Sequence, residues 1–130
     1  MMILADSSFF IALADRKDQW HAGAKKLMPA IAGETLVISD MILAEAVTII
    51  GRRSGGKAGE LLYHYFIDNC EIVFADEQIL KRGMAVFLRY DGTLSVSDAV
   101  YVAIMEMKKI NRIVSFDSDF DKVDGIVRIS

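Results

Sequence analysis

Four acidic residues stand out because the segments that carry them are otherwise apolar or hydroxylic. Asp6 follows Met2 to Ala5, Glu45 lies inside Met41 to Ile50, Asp98 follows Ser97 ahead of a run that stays apolar through Met105, and Asp117 follows Arg112 to Phe116. A carboxylate in apolar surroundings is costly unless a positive or hydrogen-bonding group meets it. Glu45 poses this most sharply: the helix around it reads as apolar on nearly every side and therefore buried. The positions one turn away, Met41, Ile42, Thr48 and Ile49, offer no lysine or arginine. A salt bridge from elsewhere is the alternative there, but a metal ion is the more economical partner. The other three have blander readings when taken singly. Asp6 before Ser7 and Ser8 is an ordinary helix cap, Asp98 suits the first turn of a helix, and Asp117 with Asp119 and Asp121 can cap or solvate a turn. Jointly those readings weaken. Several carboxylates at one place suit a hard cation, Mg²⁺ or Mn²⁺, and not zinc, which favours His or Cys.

The elements that must position these acids follow from periodicity. Met2 to Ala5 is a short apolar strand. Helical spacing over Phe9 to Ala14 comes next, then a second helix from about Trp20 towards Pro29, with Gly33 ending the segment. Thr35 to Ile38 is a second strand, and Ser39 or Asp40 caps a helix over Met41 to Arg52. After the break Ser54-Gly55-Gly56, an amphipathic helix covers Lys57 to Asn69, and Glu71 to Ala75 is a third strand. Asp76 caps a helix of about Glu77 to Tyr90. Beyond the loop Asp91 to Ser95, Ser97 reads as the N-cap of a helix reaching about Lys109. Arg112 to Phe116 is a fourth strand, Ser118 to Lys122 a loop or single helical turn, and Ile126 to Ile129 a last strand. Strand and helix alternate throughout, which implies a three-layer α/β/α architecture with a central, mostly parallel sheet of about five strands and right-handed crossovers. In such sheets ligands bind beyond the C-terminal strand ends, where Asp6 and Asp117 are expected.

Composition narrows the classes. A chain of 130 residues is expected to form one domain, residues 1–130, with a core large enough to need no disulfide. The 53% hydrophobic content and mean hydropathy of +0.32 are high. Yet no span of roughly 18 or more uncharged apolar residues exists to cross a bilayer, and the N-terminus lacks signal-peptide character, so a cytoplasmic location is expected. The apolar excess suggests instead that a partner covers part of the surface. The single cysteine, Cys70, reads as structural, since His21 and His64 lie in amphipathic segments without a triad-like context. A net charge of −3 argues against binding nucleic acid through bulk positive charge, although Arg52, Arg53 and Lys57 could line a groove locally. Each of those three is more simply a solvated charge beyond a helix end.

The pattern resembles the PIN-domain ribonucleases, in particular the toxin subunits of VapC-type toxin–antitoxin pairs. It is carried by Leu4-Ala5-Asp6-Ser7-Ser8, by Ile38-Ser39 leading into Leu43-Ala44-Glu45-Ala46, by Leu94-Ser95-Val96-Ser97-Asp98-Ala99, and by Val114-Ser115-Phe116-Asp117-Ser118-Asp119-Phe120. The resemblance spans essentially the whole chain. It assigns Asp6, Glu45, Asp98 and Asp117 to an acidic quartet, with Asp119 as a fifth contributor through the metal or its waters. It puts Ser7 and Ser115 where the family carries a small hydroxyl residue that orients a carboxylate or contacts phosphate; threonine is more usual at the position of Ser115. It further implies a five-stranded parallel sheet, a homodimer, an antitoxin partner that inserts a segment into the active-site groove, and hydrolysis of RNA by metal-activated water to leave 5′-phosphate and 3′-hydroxyl ends.

Two rivals stand beside this reading. One is a non-enzymatic module of the same fold, against which the intact quartet argues. The other is a metal-dependent nuclease acting on DNA, which the acids alone do not distinguish from one acting on RNA.

Overall fold

The computed structural model describes residues 1–130. Five short strands, β1 (Met2–Ala5), β2 (Thr35–Ser39), β3 (Cys70–Val73), β4 (Arg112–Val114) and β5 (Val127–Ile129), form one sheet in the order β3-β2-β1-β4-β5. Every neighbouring pair is parallel, with Leu4 opposite both Val37 and Ile113. The helices are α1 (Ser7–Ala14), α2 (His21–Ile31), α3 (Asp40–Ser54), α4 (Gly56–Asn69), α5 (Glu77–Arg89) and α6 (Val96–Lys108), with a 3₁₀ turn at Ser118–Lys122. The expected α/β/α layering is thus observed, and the parallel pairing extends to all five strands.

The pleat sorts the strand residues into two cores. Leu4, Val37 and Ile113 face α5 and α6, where the apolar run Ala99 to Met105 is buried. Ile3, Ala5, Leu36, Ile38 and Val114 face the opposite way, against Phe9 and Phe10 of α1, Ala46 and Ile50 of α3, and Leu62 and Phe66 of α4. With both faces covered, the strands need no polar alternation and read as continuous apolar runs.

Some boundaries differ from expectation for local reasons. The break between α3 and α4 contracts to Gly55 alone, whose φ of 95° lies where an L side chain is strained, so one residue reverses the chain. Strand β3 ends at Val73, leaving Phe74 exposed, and β4 ends at Val114 because the following residues turn into the site. Helix α2 runs past Pro29 to Ile31. The cap of α6 is Ser95, not Ser97: the Ser95 hydroxyl accepts the Asp98 N–H at 3.0 Å, whereas Ser97 Oγ is buried without a hydrogen-bond partner. Ser39 is the cap of α3, accepting the Ile42 N–H at 3.1 Å, while Asp40 instead accepts the Ala75 N–H at 3.0 Å. Asp76 caps α5 as expected, through the Ile79 N–H at 2.9 Å. No helix is long and apolar enough to cross a membrane.

The α5–α6 contact sets the height of Asp98 over the sheet, and it depends on Gly83. A Cβ at Gly83 would lie 2.6 Å from Val100 Cγ2 and 3.2 Å from Val100 Cα. Valine is stiff at χ1, so the helices would have to separate. Gly83→Ala is therefore expected to destabilise the chain by about 1–3 kcal/mol, read as a fall in Tm of roughly 4–12 °C. An unchanged Tm would show that the two helices are not held at this distance.

Candidate metal centre

The chain leaves β1 at its C-terminal tip through Asp6, and leaves β4 through Ser115, Phe116 and Asp117. These strands are neighbours, but β1 leads on to β2 on one side while β4 leads to β5 on the other. Asp6 and Asp117 therefore flank the crevice where the crossovers part, the place where parallel sheets bind ligands.

Asp6 is 3% exposed and occupies the N-cap position of α1, yet its side chain makes no capping bond. Its Oδ2 instead accepts from Ser115 Oγ at 2.8 Å and from Ser8 Oγ at 3.0 Å. The ordinary cap reading of Asp6 thus gives way to a hydroxyl cradle. Ser115 Oγ also accepts the Asp117 N–H at 2.9 Å, and Ser8 Oγ accepts the Phe116 N–H at 3.0 Å. Each serine has a single hydrogen to donate, and both are directed at one carboxylate oxygen, which suits an ionised Asp6. Ser7 contributes less: its Oγ is 3.5 Å from Asp6 Oδ1, at the limit of a hydrogen bond. The orienting serine at the start of the chain is Ser8, a signal readable only as a hydroxyl residue two places after the acid.

Asp98 reaches the same crevice from the other layer. Tyr101, fully buried, donates its hydroxyl hydrogen to the Ala5 carbonyl, directly before Asp6. Asp98 stands three residues earlier on α6 and so shares the face turned towards the tip of β1. Burial pushes the Asp98 carboxyl up to about 7, and the negative charges of Asp6 and Asp117, with a smaller one from Glu45, push the same way. Burial also raises Asp6, with the Ser115 and Ser8 hydroxyls opposing it and Asp117 reinforcing it. The four acids thus share one electrostatic field.

Glu45 corrects an expectation. The helix around it is not buried on all sides: Ile42, Ala46 and Ile50 form its core face, while Ala44, Glu45 and Thr48 are exposed. Glu45 needs no buried partner, and no lysine or arginine pairs with it; the ion pairs of the chain lie elsewhere. Its charge adds, last and least, to those that raise Asp98. Asp117 is both a turn former and a site residue, its Oδ1 accepting the Asp119 N–H at 2.9 Å. Asp119 pairs with Lys122 at 3.2 Å.

As the side chains stand, no three acidic, histidine or cysteine groups converge tightly enough to enclose an ion. Uncompensated carboxylates repel one another, so side chains held apart are the arrangement expected before a cation enters. The donor set itself fits a hard divalent ion. It offers carboxylate oxygens only, none of the four has a basic partner in an ion pair, and their mutual repulsion is what a cation would relieve.

Other candidates fall away from the crevice. Arg53 is committed to Asp15 and Asp18, with its Nη1 3.1 and 2.9 Å from their oxygens, and Arg52 and Lys57 are exposed about the same helix hairpin. Cys70 is half-buried and burial pushes its thiol up to about 11, too high for a nucleophile. His21 Nδ1 lies 2.7 Å from the Ala12 carbonyl, a structural tie. One basic residue went unnoticed in the sequence: Arg128 of β5 holds Asp121 through two hydrogen bonds of 2.9 and 3.1 Å and donates to the Ser115 carbonyl at 3.1 Å.

Comparison with known proteins finds matches over nearly the whole chain. The family model described as PIN domain matches residues 3–126. The chain is 31% identical, over 98% of each sequence, to a 23S rRNA-specific endonuclease, VapC20, of Mycobacterium tuberculosis. It is 30% identical to Ribonuclease VapC13 of the same organism, over 99% of this chain and 100% of that one. The solved structure of Mycobacterium tuberculosis VapC20, described as a sarcin-ricin loop cleaving toxin, superposes with a TM-score of 0.87 at 26% identity over 96% of both chains. A toxin–antitoxin complex from Klebsiella pneumoniae shares the fold, with a TM-score of 0.73 at 18% identity over 96% of this chain and 95% of that one.

The raised Asp98 carboxyl makes stability depend on pH in a defined direction. Its folded pKa lies above its unfolded value, so the folded chain binds the proton more tightly, and stability falls as pH rises between about 4 and 7. Without divalent ions, the Tm of the wild type is expected to decline from about pH 5 to about pH 8, and saturating Mg²⁺ to restore it at the upper end. Asp98→Asn should flatten the decline and shrink the Mg²⁺ effect. A metal-free wild type whose Tm is constant across this range would contradict the crowding of charges around Asp98.

Proposed function

The chain belongs to the PIN domain family and is a VapC-type endoribonuclease, and on that premise we propose that Asp6, Glu45, Asp98 and Asp117 hold Mg²⁺ or Mn²⁺ and act on an RNA phosphodiester bound across the crevice. The observation that supports the assignment is that Asp6, held by hydroxyls between the tips of β1 and β4, lies with Asp117 at the parting of the crossovers while no member of the quartet is in an ion pair, Arg128 being the one cation whose charge reaches Asp117. Dependence on a divalent metal is general to the family. When bound, such an ion supplies a water of lowered pKa and a positive charge against the phosphate and the departing oxygen.

The residues of the chain have separable tasks. Asp6 is the fixed ligand, since its cradle of Ser8 and Ser115 holds one oxygen and leaves Oδ1 with only the long side-chain contact to Ser7. Asp98 and Asp117 bring charge from α6 and from the end of β4. Glu45, exposed on α3, is the carboxylate with room to position water and to accept its proton. Asp119, held only by an exposed ion pair with Lys122, contributes through the metal or its waters. Arg128 fixes the Ser115 backbone and so holds the cradle in place.

The protein is further read as a cytoplasmic toxin that forms a homodimer and is restrained by an antitoxin. A cleft of about 400 Å³ between α1, α3 and α4, lined only by hydrophobic residues that include Phe10, Leu13, Ile50 and Leu61, supports a partner with an apolar segment. Leu80, Met84 and Leu88, exposed one turn apart on α5, support self-association.

Cleavage of labelled RNA with Mn²⁺, and with EDTA as control, tests the assignment. Asp6→Asn and Asp98→Asn are expected to lower the rate by at least about 100-fold while keeping the fold. Ser115→Ala, which removes one hydroxyl from the cradle, should cost roughly 10–100-fold. Arg53→Ala should leave the rate near that of the wild type. An Asn variant that cuts at the normal rate removes its residue from the site.

A further inference from the structure

We propose that the open face of Trp20 is a stacking platform for an unpaired nucleobase of the RNA, next to the scissile phosphate. This rests on the ribonuclease reading above and adds a subsite to it. Trp20 and Phe116 lie parallel, with ring centroids 5.2 Å apart and planes within 4°. The other aromatic pairs of the chain meet edge-on, Phe9–Phe10 and Phe10–Phe66 inside the core and Tyr63–His64 at the surface. Trp20 is instead 46% exposed. Phe116 covers part of one face of the indole, and close to half of the residue remains open to solvent. An exposed, flat indole held parallel to a second ring has the form of an unfinished stack.

The inner ring ties this platform to the metal centre. Phe116 stands between Ser115 and Asp117, and its N–H donates to the same Ser8 hydroxyl that holds Asp6. The Phe116 ring lies over Gly23 of α2, where a Cβ would be in ordinary van der Waals contact with it at 3.5 Å. Trp20 is anchored at both backbone groups, its N–H donating to Asp18 Oδ1 at 2.9 Å and its carbonyl accepting from the Ala24 N–H at 2.8 Å. The indole is therefore fixed before any ligand arrives, one ring away from the acids.

Charge around Trp20 fits the same occupant. Arg16 and Lys17 precede it and Lys25 and Lys26 follow it, all four exposed and outside every ion pair of the chain, while the acids of the same stretch, Asp15 and Asp18, are both held by Arg53. An aromatic face flanked by free cations is the means by which single-stranded nucleic acid is held without regard to base identity. On a chain of net charge −3, this is where the backbone of an unpaired strand meets positive charge.

Trp20 is the only tryptophan, so its emission reads the contact directly. Asp98→Asn protein in Mg²⁺ is titrated with a short, unpaired, end-labelled oligoribonucleotide, following label anisotropy for binding and tryptophan emission for stacking. Emission is expected to be quenched in step with binding, and an oligomer with abasic positions to bind with less quenching. In steady-state cleavage, Trp20→Leu should raise KM on the order of tenfold with kcat little changed. Trp20→Phe and Trp20→Tyr should recover most of that loss, although all three variants lose part of the Phe116 contact and a structural role would affect them alike. RNA binding that leaves the emission unmoved, or a Trp20→Leu protein of wild-type Tm and KM, overturns the platform alone. A wild-type chain that neither binds nor cuts RNA in Mn²⁺ overturns the ribonuclease reading, and the platform with it.

Discussion

Burial of one carboxylate without a counter-ion is the constraint around which the site is organised. Asp6 is nearly inaccessible, at the tip of the central strand, where an uncompensated charge is expensive. Two hydroxyl groups meet it, and they come from opposite sides of the crevice, Ser8 from α1 and Ser115 from the end of β4. Each also accepts a backbone N–H from the β4 side, of Phe116 and Asp117. The hydrogen bonds that make Asp6 tolerable therefore also close β4 against β1 and aim Asp117 into the crevice. A position that is costly for folding is held by the contacts that make it useful for chemistry, the trade expected where function overrides local stability.

The second layer adds charge where charge is least welcome. Helix α6 is buried along Ala99 to Met105 and can lie in only one place against the sheet, and the Tyr101 hydroxyl on the Ala5 carbonyl fixes how far along. That placement carries Asp98 into the field of Asp6 and Asp117. Proteins seldom gather like charges without a cation to reconcile them, because the repulsion must otherwise be offset by the rest of the fold.

Much of this was legible in the residues, and the misses have physical causes. The alternation of apolar runs with 3.6-residue periodicity gave the layers and the strand number, since strands covered on both faces cannot hide their composition. The tips of β1 and β4 were readable because an acid directly after a buried strand has few other places to go. Glu45 was selected for a wrong reason. A helix apolar in sequence need not be buried all round, because α3 packs through Ile42, Ala46 and Ile50 alone and leaves Ala44 and Thr48 in solvent. Ser97, directly before Asp98 and the apolar run, reads as the cap in sequence, and only the backbone geometry moves the cap two residues back to Ser95. Arg128 and the Trp20–Phe116 pair could not be anticipated, as each joins segments remote in sequence through side-chain reach rather than through any local pattern.

The hold of Arg128 on the Ser115 carbonyl places part of the site's support on β5, an edge strand of only three residues bound to the sheet on one side. Edge strands open more readily than the centre of a sheet, and local opening of this kind is a free energy that ligands can shift. Whatever draws Asp6 and Asp117 together also holds the Ser115 turn, and through it the guanidinium and the edge. Ion occupancy at the crevice and amide protection along the outermost strand are in this way two readings of a single equilibrium.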